Sequence, residues 1–396
     1  MDTHKKTLPS TPVSRWWILF LLHFSVLAFA LNLQMIPPLL PRLVFELGLT
    51  HTQAGLLMGL FTLPGIFLAI PGGRMADIMG PRGVALWSLA LMTVGAVVML
   101  PLHPGFLYAG RLCSGIGGAV LVVVAPQIIT RTFQGRELGL AMGIFNTAVP
   151  IGTIAAFNLL GFLAEGFGTP VVIMTAASFS FLSLVAFFLT YAQPPLDQKS
   201  VTTVAAGTLK GLGKGIWLVS LVWVLFNISI LAYFTYAIDY FTGAGLAGST
   251  GRFLSSLPMI LSIILTPAAG FAMHRYGLRW SLPLVGCGIS SAAIILILDP
   301  GKTMVVVWSI LLGVGISMVP PAVFTIAGEV VPPSRTGVGY GLLTAIFNLG
   351  IFFGIPMIGN ARDLASDYRS SFFLMALIMG MGAAMSIISV RLLSRR

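Results

Sequence analysis

Residues 73–82 read Gly73-Arg74-Met75-Ala76-Asp77-Ile78-Met79-Gly80-Pro81-Arg82, and residues 270–279 read Gly270-Phe271-Ala272-Met273-His274-Arg275-Tyr276-Gly277-Leu278-Arg279. Both glycines and the final arginine recur at one offset, 197 residues, and each copy lies between long apolar runs. The repeat extends beyond the loop. Gly48-Leu49 and Leu57 match Gly245-Leu246 and Leu254 at the same offset, and Gly115-Ile116-Gly117 matches Gly313-Val314-Gly315 at 198. Ile144-Phe145-Asn146 matches Ile346-Phe347-Asn348 at 202. An ordered series of matches with small insertions is the mark of an old duplication. In an apolar chain it points to a transporter built from two similar halves around a central path.

The composition agrees. Hydrophobic residues make up 57% of the 396-residue chain and charged residues 8%, with a mean hydropathy of +0.98. That charge is too sparse to cover a soluble globule, whereas a helix in lipid needs none. A spanning helix takes about 20 apolar residues. Twelve such stretches fit, at 16–40, 52–73, 83–102, 104–130, 137–163, 169–192, 216–241, 251–274, 280–299, 303–328, 337–358 and 370–392. The run from Trp16 is too long for a cleaved signal peptide and is read as a retained first span. Six spans return the chain to its starting side, so the halves are parallel repeats. The expected domains are 1–192, a six-helix bundle; 193–215, a polar linker rich in Gly, Thr and Ser; and 216–396, a second six-helix bundle.

The net charge of +11 is topological. With the N-terminus inside, sixteen of the 22 lysines and arginines fall on that side against five opposite, and Arg111 alone is left within a span. The positive-inside rule then places both termini in the cytoplasm of a cell inner membrane. Nucleic acid is not an expected partner. The partners expected are the lipid bilayer and a small-molecule or ion substrate, with a proton or a counter-anion as coupling ion, acting on a monomer. Cys113 and Cys287 both fall inside spans and suggest neither a disulfide framework nor a metal site. No phosphate-binding loop, metal-ligand cluster or nucleophile–base pair stands out, so neither enzyme activity nor a cofactor is expected.

Two motifs carry a family resemblance. Gly73-x-x-x-Asp77-x-x-Gly80-x-Arg82 resembles the loop signature between spans 2 and 3 of the major facilitator superfamily, and Arg111-Leu112-Cys113-Ser114-Gly115-Ile116-Gly117-Gly118-Ala119 resembles its span-4 motif. The resemblance implies an all-α integral membrane protein, twelve transmembrane helices in two pseudosymmetric six-helix bundles, working by rocker-switch alternating access. It also implies that Asp77 docks against basic and helix-end groups on the cytoplasmic side, with Arg131 and Arg136 as ionic neighbours. In the second copy His274 stands where Asp77 does, so such a lock would be lopsided. Asn32-Leu33-Gln34-Met35-Ile36-Pro37-Pro38-Leu39-Leu40-Pro41 is similar to the cyanate and nitroimidazole transporter branch. In span 5, Ala148-Val149-Pro150-Ile151-Gly152 lacks the glycine before proline that drug–proton antiporters of the family carry, which counts against drug antiport.

Several polar residues within spans are candidates for the substrate path. Arg111 lies about 10 Å into span 4 at 1.5 Å per residue. It is read as an anion-attracting group, against the alternative of a structural arginine that bonds neighbouring carbonyls or snorkels outward. None of the eleven acidic residues falls clearly mid-span, which disfavours cation efflux. Asn146 and Asn348 occupy equivalent midplane sites and face either the path or another helix. Gln127 serves polar recognition or interhelix bonding. On span 1, His23 and Gln34 share a face, His23 as a proton acceptor or a packed histidine. On span 7, Asn227 sits mid-span, and Tyr233 and Tyr236 either line the path or pack. Arg42 and Asp239, equivalent at offset 197, are candidate partners across an outer gate, and Arg252 is a candidate for the outer vestibule. The expected function is secondary or facilitative transport of a small polar solute, an anion by the Arg111 reading. The alternatives are efflux of lipophilic drugs and a transporter-fold membrane receptor.

Overall fold

A peptide group in hydrocarbon finds no water to bond, so apolar runs of this length must satisfy their backbone internally, as helices. The computed structural model describes residues 14–133, 136–191, 212–298, 302–332 and 336–393. Among them are twelve helical spans long and apolar enough to cross a membrane: Arg15–Leu47, His51–Leu68, Pro81–Val98, Pro104–Thr132, Glu137–Phe167, Thr169–Thr190, Lys214–Gly243, Gly248–Tyr276, Leu278–Leu296, Met304–Val330, Val338–Ala365 and Arg369–Leu392. All twelve expected stretches are present, and no strand occurs among the described residues. The sequence 193–215 falls mostly on residues 192–211, which lie outside the described residues, as do the side chains of Gly73, Asp77 and Arg136.

Twelve crossings bring Arg15 and Leu393 to one side of the membrane, here called the terminal side; the other is the distal side. Each half packs its third and fourth spans through glycine. A Cβ on Gly117 would strike the Ser88 carbonyl, and one on Gly315 would strike Ser290 Oγ. These two glycines are equivalent in the repeat, so the close approach of spans 3 and 4 recurs between spans 9 and 10. Small residues at such contacts are the usual means of helix association in lipid.

The spans near the centre are broken where the sequence places proline. Span 1 runs as Arg15–Gln34 and then Ile36–Leu47, with Pro37 and Pro38 opening the second segment. Proline has no N–H, so the carbonyls of Leu33 and Gln34, four residues earlier, lose their helix donors. Span 2 turns again at Leu63, ahead of Pro64, and its helix runs on to Met79. Span 5, expected to be continuous, breaks at Thr147 ahead of Pro150 and carries a π-helical turn, Ala156–Leu160. Asn158 in that turn donates to Ser256 Oγ of span 8 at 3.1 Å. Such bulges cluster at functional sites.

The hydrogen bonds and ion pairs that join the two halves at His51, Thr52, Asn158, Glu165 and Tyr236 lie toward the distal side. Spans 2 and 11 meet there, as do spans 5 and 8 and the second segment of span 1 against span 7. On the terminal side three bonds run within one half: Arg15 to Glu137 at 3.0 Å, Arg82 to the Phe188 carbonyl at 2.8 Å, and Arg279 to Glu329 at 2.8 Å. Tyr191, just beyond span 6, is buried. Its burial pushes the phenol up, against the opposing pull of Arg131 and Arg82 nearby.

Candidate functional site: a cavity between the halves

Between the halves lies a cavity of about 810 Å³, of the size that holds small organic molecules. Its lining includes Gly143, Gly270 and Thr344, which lie in the thirds of spans 5, 8 and 11 nearest the terminal side. Closed distally and reached from the terminal side, it is the space that the repeat predicted between two halves.

Its chemistry differs from the expectation. No Asp, Glu, Lys, Arg or His is among the described lining residues. The wall is aromatic and aliphatic, including Phe29, Phe61, Trp223, Phe234 and Phe347, and into it project four side-chain amides: Gln34, Asn146, Asn227 and Asn348. Gln34 is 2% exposed, and its Oε1 has no hydrogen-bond partner among the described residues. An unmatched buried acceptor on such a wall costs about 1–3 kcal/mol. Asn146 is exposed to the cavity at the break in span 5. Asn348, 7% exposed, fits beside Gly65, whose missing side chain leaves it room. Asn227 is partly engaged, donating to the Trp223 carbonyl at 2.7 Å.

The remaining path candidates lie elsewhere. Arg111 is fully buried and is not among the lining residues. Its Nε donates to the Leu57 carbonyl at 2.8 Å, and its terminal nitrogens donate to the carbonyls of Asn32 and of Leu33. The guanidinium stacks on Phe61, 4.5 Å from the ring centroid. The physical reason is the break in span 1: Pro37 deprives Leu33 of its helix donor, and Arg111 supplies another. In this arrangement Arg111 bonds neighbouring carbonyls, as the structural alternative describes. His23 Nδ1 contacts the Ile144 carbonyl at 3.2 Å, holding span 1 to span 5. Gln127 and Tyr233 are also absent from the lining. Tyr236 reaches the carbonyls of His51 and Ile355, both at 3.0 Å, and so belongs to the distal closure.

The distal side holds its own surprises. Arg42 pairs with Glu46 in its own helix at 2.7 Å, not with Asp239, because the shorter i,i+4 reach is available. Asp239 instead faces His51 Nε2 at 3.2 Å and accepts a hydrogen bond from Tyr368. Burial and the adjacent Asp239 carboxylate push the Tyr368 phenol well above its ordinary value. Asp363 caps the start of span 2 from the other half. Its carboxylate accepts from the backbone N–H groups of His51 and Thr52 at 3.0 and 2.8 Å, and from the Thr52 hydroxyl at 2.6 Å. A helix N-terminus favours such an anion. Arg252, 6% exposed, pairs with Glu165 of span 5. His51, Asp363 and Glu165 were not singled out in the sequence. The only local signal was the capping box Thr50-His51-Thr52-Gln53, which marks a helix start without naming its distant partner.

The family described as Major Facilitator Superfamily matches residues 22–354 and 243–395 of the chain. An uncharacterized MFS-type transporter of Methanocaldococcus jannaschii is 25% identical over 371 residues, covering 89% of this chain and 94% of that protein. The lysosomal dipeptide transporter MFSD1 of Danio rerio is 24% identical over 373 residues, covering 86% and 79%. Among solved structures, a bacterial homolog to the human lysosomal transporter Spinster, inward-facing and unoccupied, superposes with a TM-score of 0.82 at 18% identity over 98% of this chain and 99% of that one. The peptide transporter POT in complex with sulfate gives 0.78 at 15% identity, over 96% and 94%. These descriptions lie outside the cyanate and nitroimidazole branch that the span-1 residues resemble.

Proposed function

Since this chain belongs to the Major Facilitator Superfamily, and so to a family of membrane transporters, we propose that it carries an uncharged, largely apolar solute bearing amide or hydroxyl groups. The observation that carries this reading is a cavity wall with four amides and no ionisable side chain among its described residues. A buried charge without a partner costs several kcal/mol, so a wall without ionised groups selects against ions. A side-chain amide offers both donor and acceptor and suits a solute amide, which offers the same.

An anionic solute gains no support from this wall, because Arg111 lies outside it and spends three of its five donors on backbone carbonyls. The similarity to a dipeptide transporter favours amide recognition, but two charged peptide ends would find no counter-charge among the described lining residues. The class we favour is therefore a neutral, peptide-like amide. Efflux of lipophilic compounds is the second reading, supported by the aromatic share of the same wall.

Residues 1–192 and 216–396 would rock as units about the solute, joined by 193–215. On the count of basic residues by side, we read the termini as cytoplasmic in a cell inner membrane; the cavity would then open inward. A thermal-shift screen of the purified protein tests the solute class. End-blocked dipeptides and neutral amides should stabilise it more than the same molecules with charged ends. Preferential stabilisation by carboxylates would overturn the reading.

A further inference from the structure

The distal closure contains a cluster of ionisable groups that the solute reading leaves without a role. His51 of span 2 stands between two carboxylates of the other half, with Nδ1 2.8 Å from Asp363 Oδ1 and Nε2 3.2 Å from Asp239 Oδ2. Asp363 is otherwise surrounded by donors, the N–H groups of His51 and Thr52 and the Thr52 hydroxyl. Tyr368 donates to Asp239. An ionised carboxylate only accepts, and a neutral imidazole has a single N–H. Both His51 contacts can be hydrogen bonds at once only if the group holds one proton more than two carboxylates and a neutral ring. That proton sits on the imidazole, or on Asp239 with Nε2 accepting; the count is the same.

The other charged and titratable groups nearby make contacts of their own. Arg362 of span 11 stacks over the Tyr368 ring at 5.0 Å, its Nε making no hydrogen bond among the described residues. Tyr236 of span 7 bonds backbone carbonyls, and Tyr240 reaches the Ile297 carbonyl at 3.1 Å. Asp367 accepts from the Arg369 backbone, and Arg42 and Glu46 at the end of span 1 pair with each other. None supplies the missing donor. The site is not sealed, its side chains being 9%, 20% and 22% exposed for His51, Asp239 and Asp363.

We propose that His51, Asp239 and Asp363 form a proton-binding site that latches the distal side shut. This rests on the alternating-access reading above and adds a ligand to it, a proton taken from the distal compartment. His51 belongs to one half and both carboxylates to the other, so the site exists only while that side is closed. The closed form binds one proton more than the open form, in which a separated imidazole loses its proton near pH 6.5. By linkage the latch is complete at acid pH and is released as pH rises, and the closed-to-open ratio falls by up to about tenfold per pH unit.

The test measures the distal side directly, without solute. Spin labels at Phe45→Cys and Leu364→Cys, in a Cys113→Ser, Cys287→Ala background in nanodiscs, report the separation of spans 1 and 11 by pulsed electron resonance. Between pH 5.5 and 8.5 the long-distance population should grow at up to the tenfold-per-unit limit. His51→Gln should be open-biased and flat with pH. Asp239→Asn should stay closed and flat, because its amide can donate to a neutral His51 without an added proton. Glu165→Gln, which weakens the other distal contact, should raise the open population at every pH while keeping the slope. A wild-type distribution that does not move with pH, or either cluster variant keeping the wild-type slope, overturns the proposal. If an added solute shifts the distances while pH does not, the proton site falls and the transport reading stands. If pH shifts them and no neutral amide does, the latch stands and the solute class falls.

Discussion

Replacing Arg111 by methionine keeps much of the volume and removes the guanidinium, which separates a structural arginine from a solute-binding one. The substitution strips donors from the carbonyls of Leu57, Asn32 and Leu33 and a cation from the face of Phe61. Leu33 is affected most, since Pro37 already denies its carbonyl a helix partner. Three interhelical bonds at the membrane-protein average of roughly 0.6 kcal/mol each come to about 2 kcal/mol. At the roughly 1.5 kcal/mol of a bond to a charged group, with about 1 kcal/mol for the ring contact, the loss is about 5.5 kcal/mol. For a unit near 200 residues each kcal/mol lowers the melting temperature by about 2–4 °C, so a drop of about 4 °C or more is expected. Intrinsic tryptophan fluorescence during heating in detergent reads it. Arg111→Lys should recover less than half, because a single ammonium lacks the planar fork that reaches three carbonyls. An unchanged melting temperature combined with lost solute affinity would refute the structural assignment and return Arg111 to the path.

Three further outcomes follow from the same contacts. Gly359→Val should hold the distal side open, because any Cβ there meets the His51 carbonyl and the Tyr236 hydroxyl; distal cysteine labelling should rise and net transport should stop while solute binding persists. Gln34→Leu and Asn348→Leu should each weaken solute binding by about 5- to 150-fold, the equivalent of about 1–3 kcal/mol for one buried partner, with little change in melting temperature. Arg15→Ala, by contrast, breaks a pair whose side chains are 51% and 42% exposed, so its effect on stability should stay within about 1 kcal/mol.

The twelve spans and the duplication were legible because both are local: a run of apolar residues and a recurring loop can be read without knowing what touches what. The cavity amides were partly legible for the same reason. An amide in the middle of an apolar run must face something polar, and Gln34, Asn146, Asn227 and Asn348 all line the cavity. Arg111 shows where that logic stops. Charge and depth identified it as constrained but did not say whether solute or backbone supplied the partner; the answer lay in Pro37, on another span. The breaks in spans 1 and 5 were written in their prolines, yet whether proline bends or breaks a helix depends on neighbours that restore the lost bonds. The distal cluster was illegible. His51 and Asp363 are 312 residues apart, each looks like an ordinary helix-end residue, and their alignment depends on how one half seats against the other. Offset pairing proposed Arg42 with Asp239, but the repeat relates equivalent positions, and equivalent positions need not touch.

The most direct test of the central claim is counterflow in proteoliposomes, using a radiolabelled neutral amide identified by binding. The account predicts saturable exchange with the wild-type protein, weakened by Gln34→Leu, abolished by Gly359→Val, and untouched by a competing carboxylate of equal size. Saturable exchange of that carboxylate, at equal or better affinity, would contradict a cavity whose wall selects by the absence of charge.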